Sequence, residues 1–176
     1  MTDSQGEARV WELMEEIGFC MLSSLDVSEE RPSTSLGTNN LLIRSRPMAA
    51  HVCREENIIY FLTDADSAKD EDIAARPQVN LAFAHPSKQS YVSLTGRAAV
   101  SNDRNKIREL FSTPAKAWWD SPEDPSIRVL KVTPHDAQYW DSRGTVRSYI
   151  KMAAAIATDS KPDLGDHEKV DMEEGV

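Results

Sequence analysis

The sequence predicts a mainly β protein of the α+β kind: one domain whose antiparallel sheet curls into a small closed or split barrel. Three observations carry this. Short β-rich runs recur at Phe19–Leu25, Leu41–Cys53, Ile58–Thr63, Val79–Ala84, Ser90–Val100 and Ile127–Trp140, about six strands in all. Turn residues separate them closely enough for hairpins, as at Arg54-Glu-Glu-Asn57. No regular strand–helix–strand repeat is present to demand a parallel sheet.

The elements follow in order. Val10, Leu13, Met14 and Ile17 fall on the i, i+3, i+4, i+7 stripe of an amphipathic helix, which Gly18 can end. Arg31 to Asn40 reads as a loop or a polar edge strand. In Leu41–Cys53, Pro47 removes a ladder donor and so marks an edge, a bulge or a neighbouring ligand. That run is expected to pair with Ile58–Thr63 as a hairpin. Ser67-Ala-Lys-Asp70 resembles a capping box and opens a helix that stops at Pro77. Gly96 predicts a bulge or bend in its strand. Ile107, Leu110 and Phe111 mark a short helix starting near Asn102 or Asp103, and Pro114–Pro125 is irregular around Trp118 and Trp119. The last strand is expected to break at Pro134, and Val146–Ala157 to form a final helix.

Composition bounds the function. At 176 residues the chain can bury a core without staples. Cys20 and Cys53 form no CxxC pair and read as buried reduced thiols, and the four histidines show no metal-ligand spacing, so no metal is expected. The start of the chain lacks signal-peptide character and no apolar run could span a bilayer, which reads as cytoplasmic. A net charge of −9 disfavours nucleic acid and membrane surfaces. Residues 159–176 hold seven acids and two lysines, so they are expected to form an acidic, poorly ordered tail behind a domain spanning 1–158. The sequence carries no GxGxxG, P-loop or GxSxG motif.

Three segments carry candidate chemistry. Thr63-Asp-Ala-Asp-Ser67-Ala-Lys69 joins a strand to a capped helix, where unpaired N–H groups, a hydroxyl and a lysine can hold an anion; a plain N-cap beside an exposed lysine fits the same residues. Arg44-Ser-Arg46-Pro47-Met48 sets two arginines in a strand, which suits either an anion or simple exposure. Thr133–Trp140 ends a strand with amphipathic rings that suit a core, an interface or a planar ligand.

Together these segments, with Arg76-Pro-Gln-Val-Asn-Leu81 and Tyr91-Val-Ser-Leu-Thr-Gly96, resemble the pyridoxamine 5′-phosphate oxidase-like flavin-binding split barrels, most closely the general stress protein 26 branch, from about Val10 to Asp166. The resemblance implies a six-stranded antiparallel split β-barrel of Greek-key type with flanking helices. It implies a homodimer with flavin mononucleotide (FMN; alternatively FAD) between subunits, and a small-molecule substrate it does not identify. By the same resemblance, Arg46, Pro47, Met48 and Ala49 lie along the isoalloxazine ring, Leu62 and Thr63 contact the flavin, Ser67 and Lys69 hold its phosphate, and Trp140 stands near it.

The chain also departs from the oxidase pattern. His51 stands where the oxidase has a substrate-binding lysine, Ala68 where an arginine is usual, and Asp141-Ser-Arg-Gly follows Trp140 in place of a substrate segment. Oxidation of pyridoxamine phosphate is therefore disfavoured, and no catalytic residue is assigned. The expectation is an FMN-binding stress protein with flavin-dependent oxidoreductase chemistry; the alternatives are a non-catalytic flavin reservoir or sensor, and an oxidase with a rebuilt substrate pocket.

Overall fold

The computed structural model describes residues 4–31, 40–65, 73–141 and 166–172. Helix α1 (Ser4–Ile17) leads into β1 (Phe19–Arg31), β2 (Asn40–Ala49), β3 (His51–Cys53) and β4 (Ile58–Asp64). After them come β5 (Gln78–His85), β6 (Ser90–Ser101), helix α2 (Arg104–Leu110), β7 (Ile127–Asp141) and β8 (Asp166–Asp171). Among the described residues, eight strands form one antiparallel sheet, in the order β2-β1-β5-β6-β7-β4-β3, with β8 beside β7. This is the mainly antiparallel split-barrel architecture, with two strands more than expected.

The first extra strand arises because the run Leu41–Cys53 divides at Ala50. Its earlier part, β2, pairs with β1, placing Pro47 opposite Met21 and Arg46 opposite Leu22. Only His51–Cys53 pairs with β4, opposite Tyr60–Ile58. The two arginines therefore lie beside β1, not on the hairpin partner of Ile58–Thr63. At the corner, the Ala50 N–H donates to the Gly18 carbonyl at 2.8 Å, which satisfies the backbone as the chain changes partner. The two ends of the strand order are thus joined through one residue of chain, while β2 and β4 share no ladder.

The second extra strand corrects the expectation of a poorly ordered tail for part of its length. Asp166–Asp171 pairs with Asp136–Asp141 in full register. Val170 and Met172 alternate inward to near-complete burial, a period-two signal that the surrounding charge concealed. Met172 N–H donates to the His135 carbonyl at 2.9 Å, and the Tyr139 hydroxyl donates to Glu168 at 3.1 Å. The final helix expected at Val146–Ala157, and residues 159–165, lie outside the described residues.

Local signals read from the sequence hold elsewhere. Val10, Leu13 and Met14 are fully buried beneath α1, joined by Trp11. Gly18 takes φ +69°, and its N–H closes the helix on the Met14 carbonyl at 2.9 Å. Asn57 supplies the left-handed residue (φ 52°) of the β3–β4 turn. The β6–β7 register shifts at Gly96, where an added Cβ would meet the Thr133 carbonyl oxygen at 2.7 Å. β7 does not break at Pro134. The proline sits at that bulge, between the residues paired to β4 and those paired to β8, where a missing donor costs least.

The main core lies between α1 and the inner sheet face, around Leu22, Phe61, Leu81 and Leu94. A second cluster of Ile58, Tyr60, Ile107, Leu110, Ile127 and Val129 seats α2, whose first turn is capped by Asp103 accepting from Asn105 and Lys106 N–H. Lys106 adds a hydrogen bond to Glu56 at 2.9 Å, and Glu56 accepts from the Tyr60 hydroxyl at 2.6 Å. Among the described residues, no helix is long and apolar enough to cross a membrane.

Candidate functional site

A cavity of about 620 Å³ opens where β2 and β4 part. Its walls come from four places. Pro47, Met48 and Ala49 end β2, and Ala50 and His51 form the corner. Leu62, Thr63 and Asp64 end β4, Gly18 and Phe19 join α1 to β1, and Ser112, Ala115, Trp118 and Trp119 come from the segment after α2. The fold dictates this grouping. β2 leaves β1 at Ala50, β4 is held on its far side by β7 (Leu62 opposite Val129, Thr63 opposite Arg128), and nothing zips the two strands together.

Most of the lining is apolar, with few polar groups, as suits a flat organic ring. Thr63 is a buried hydroxyl at 3% exposure. Burial lowers the His51 pKa below its ordinary value, which keeps the imidazole neutral near pH 7. Asp64 stands exposed at the end of β4. Burial also pushes the Cys20 thiol up to about 12, so that group stays protonated and unreactive.

Five of the nine expected cofactor residues, Pro47, Met48, Ala49, Leu62 and Thr63, line this one cavity. Arg46 is adjacent but is not among the lining residues; its guanidinium donates to Ser24 Oγ at 2.9 Å. Ser67 and Lys69 lie outside the described residues. Trp140 lies elsewhere, on the outer face of β7 between Tyr91 and His167. Asp64 belongs to the candidate segment Thr63–Lys69, whereas Trp118, Trp119 and Phe19 fall in none of the candidate segments; the tryptophan pair in a proline-bounded stretch is the one sequence signal for that wall.

One end of the outer sheet face carries an apolar patch. Phe19 and Met21 of β1, Ala82 and Ala84 of β5, Tyr91 of β6 and Trp140 of β7 are all exposed, with Met21 opposite Ala82, Ala84 opposite Tyr91, and Tyr91 opposite Trp140. Phe19, 62% exposed, also forms part of the cavity wall, so the patch and the cavity are continuous.

A sheet of this order with a cavity at its split defines a class, the split barrels. Residues 5–163 match the family model described as "Pyridoxamine 5'-phosphate oxidase like", and the chain belongs to that family. Several solved structures similar to it are described as general stress proteins. One, described as a candidate general stress protein 26 from Jannaschia sp. CCS1, superposes with a TM-score of 0.71 at 25% identity, covering 97% of this chain and 99% of that one. A second, the general stress FMN/FAD binding protein from Xanthomonas citri, gives a TM-score of 0.59 at 20% identity over 77% of this chain and 87% of its own. Among curated proteins, bli-3 of Neurospora crassa is 25% identical over 134 residues, 71% of this chain. The match spans 64% of the length of bli-3.

Proposed function

We propose that this chain is a cytoplasmic, FMN-binding general stress protein that works as a homodimer and uses its flavin for redox chemistry on a small molecule. One observation carries the reading: Pro47–Ala49 and Leu62–Thr63, from two strands that share no ladder and implied by the family resemblance as flavin contacts, line a single cavity large enough for a planar cofactor. The walls fit the group. Met48, Ala49 and Leu62 offer apolar surface to a ring system, while the Thr63 hydroxyl and the neutral His51 imidazole suit its polar edge. In the sequence, Ser67 comes three residues after the cavity residue Asp64, which supports a phosphate-holding role for the motif that follows β4. The outer apolar patch supports the homodimer, because a second copy covering it would bury Phe19 at the cavity rim.

When bound, FMN would supply the electron-transfer chemistry. Met48, Ala49 and Leu62 would hold the ring and keep water from it, and Thr63, His51 and Asp64 are the polar side chains of the β3 and β4 walls that would be offered to it. Titrating purified protein with FMN, followed by flavin fluorescence quenching, tests the reading. Saturable quenching at one flavin per chain, with FAD competing, is the expected result. Colourless protein that leaves added flavin fluorescence unchanged rejects it.

A further inference from the structure

Two titratable side chains line the cavity among the described residues, Asp64 and His51. Asp64 has an interaction of its own, whereas no hydrogen bond or ion pair among the described residues reaches the His51 imidazole. The pairing of β3 with β4 sets His51 opposite Tyr60, on the sheet face that also carries Leu62 of the cavity wall. The residue is half-buried, but its ring nitrogens are not sealed in. Among the described residues, the buried side-chain atom left without a hydrogen bond is Asn57 Oδ1. Both imidazole nitrogens therefore stay open to whatever fills the cavity.

The charges on the surrounding elements are spent elsewhere or exert no pull. On β4, the Tyr60 hydroxyl donates to Glu56 at 2.6 Å, and Glu56 is paired with Lys106 at 2.9 Å. On β2, Arg46 donates to Ser24 at 2.9 Å. At the end of α1, Glu16 pairs with Lys88, beside Glu15. Cys53 shares the outer face of β3, and Lys116 and Asp120 flank the tryptophan pair. None of these groups displaces the imidazole's titration, which burial alone pulls down.

Such an imidazole is neutral near pH 7 and keeps one bare basic nitrogen. Negative charge arriving in the same apolar cavity reverses the balance, because an opposite charge is poorly screened there and favours the protonated ring.

We propose that His51 is the proton-coupling group of this site, taking up a proton when a bound flavin ring gains electrons. The inference rests on the flavin reading and adds to it a role for one residue of this chain. Two electrons from an external donor and one proton from solvent leave the ring with one negative charge. A second proton from solvent settles on the bare nitrogen of His51, so ring and imidazole together stay neutral.

Potentiometric titration of the FMN-loaded full-length protein between about pH 7 and 8, with dithionite as the electron donor, counts these protons. Wild type should take up two protons for each two electrons, and His51→Gln one. Each proton adds a slope of about 30 mV for every tenfold change in proton activity. His51→Lys, which carries a fixed charge, should keep the one-proton slope at a higher potential than His51→Gln. A merely structural role would not produce that ordering. In wild type, histidine nitrogen NMR should show His51 neutral with oxidised FMN and protonated after reduction, a readout that needs no variant to fold. Equal slopes in wild type and His51→Gln, or a His51 signal that stays neutral on reduction, overturn the inference while flavin binding stands. A wild type that holds no FMN overturns both.

Discussion

Met48 and Thr63 line the same cavity from strands that share no ladder: Met48 is paired through β1, opposite Cys20, and Thr63 through β7, opposite Arg128. The opening between them exists because the chain changes partner at Ala50 and leaves β2 and β4 unzipped. Filling that opening should remove binding without unfolding the barrel.

Ala49→Phe places a ring in the cavity at a half-buried position. FMN affinity should fall by about tenfold or more, an effect above 1.4 kcal/mol, while the thermal midpoint changes by a few degrees at most. Fluorescence titration and thermal melts of the same preparations check both halves.

Gly96→Ala should destabilise by about 1–3 kcal/mol, because its Cβ would meet the Thr133 carbonyl oxygen at 2.7 Å and Val132 Cγ1 at 2.8 Å, and backbone cannot yield as a flexible side chain can. Urea unfolding measures it, and a loss below a few tenths of a kcal/mol would show that the bulge relaxes.

Met172→Ala should cost about 2–4 kcal/mol, since β8 anchors itself through Val170 and Met172. Were the segment a loose tail, the substitution would leave the unfolding midpoint where it was.

These features differ in how far the sequence disclosed them. The stripe of α1, the end at Gly18, the turn at Asn57 and the bulge at Gly96 each follow from residues within a few positions, and all were legible. The switch at Ala50 was not, because pairing with β1 or β4 depends on distant strands and the run Leu41–Cys53 looks equally extended throughout. β8 was hidden because average composition outweighed the alternation of Val170 and Met172. The two facing walls of the site were readable from the motifs that supply Pro47–Ala49 and Leu62–Thr63; Trp118 and Trp119 join it from the segment after α2, through contacts no local pattern discloses.

His51 gives a pH signature. Burial lowers its pKa in the folded state, so the unfolded chain takes up the proton first as pH falls past the ordinary value of 6.5. Its neutral form contributes stability that is complete above that value and lost below it. Wild type should therefore lose stability relative to His51→Gln as pH drops from 7 towards 5. Parallel denaturation curves of the two proteins across this range would remove the argument.

The most direct measurement is a crystal structure of the protein grown with FMN. The account predicts an isoalloxazine ring between Met48 and Thr63, its phosphate towards Ser67, and a second copy across Phe19, Tyr91 and Trp140. A flavin bound elsewhere, or a cavity closed by its own Trp118 and Trp119 side chains, would contradict it.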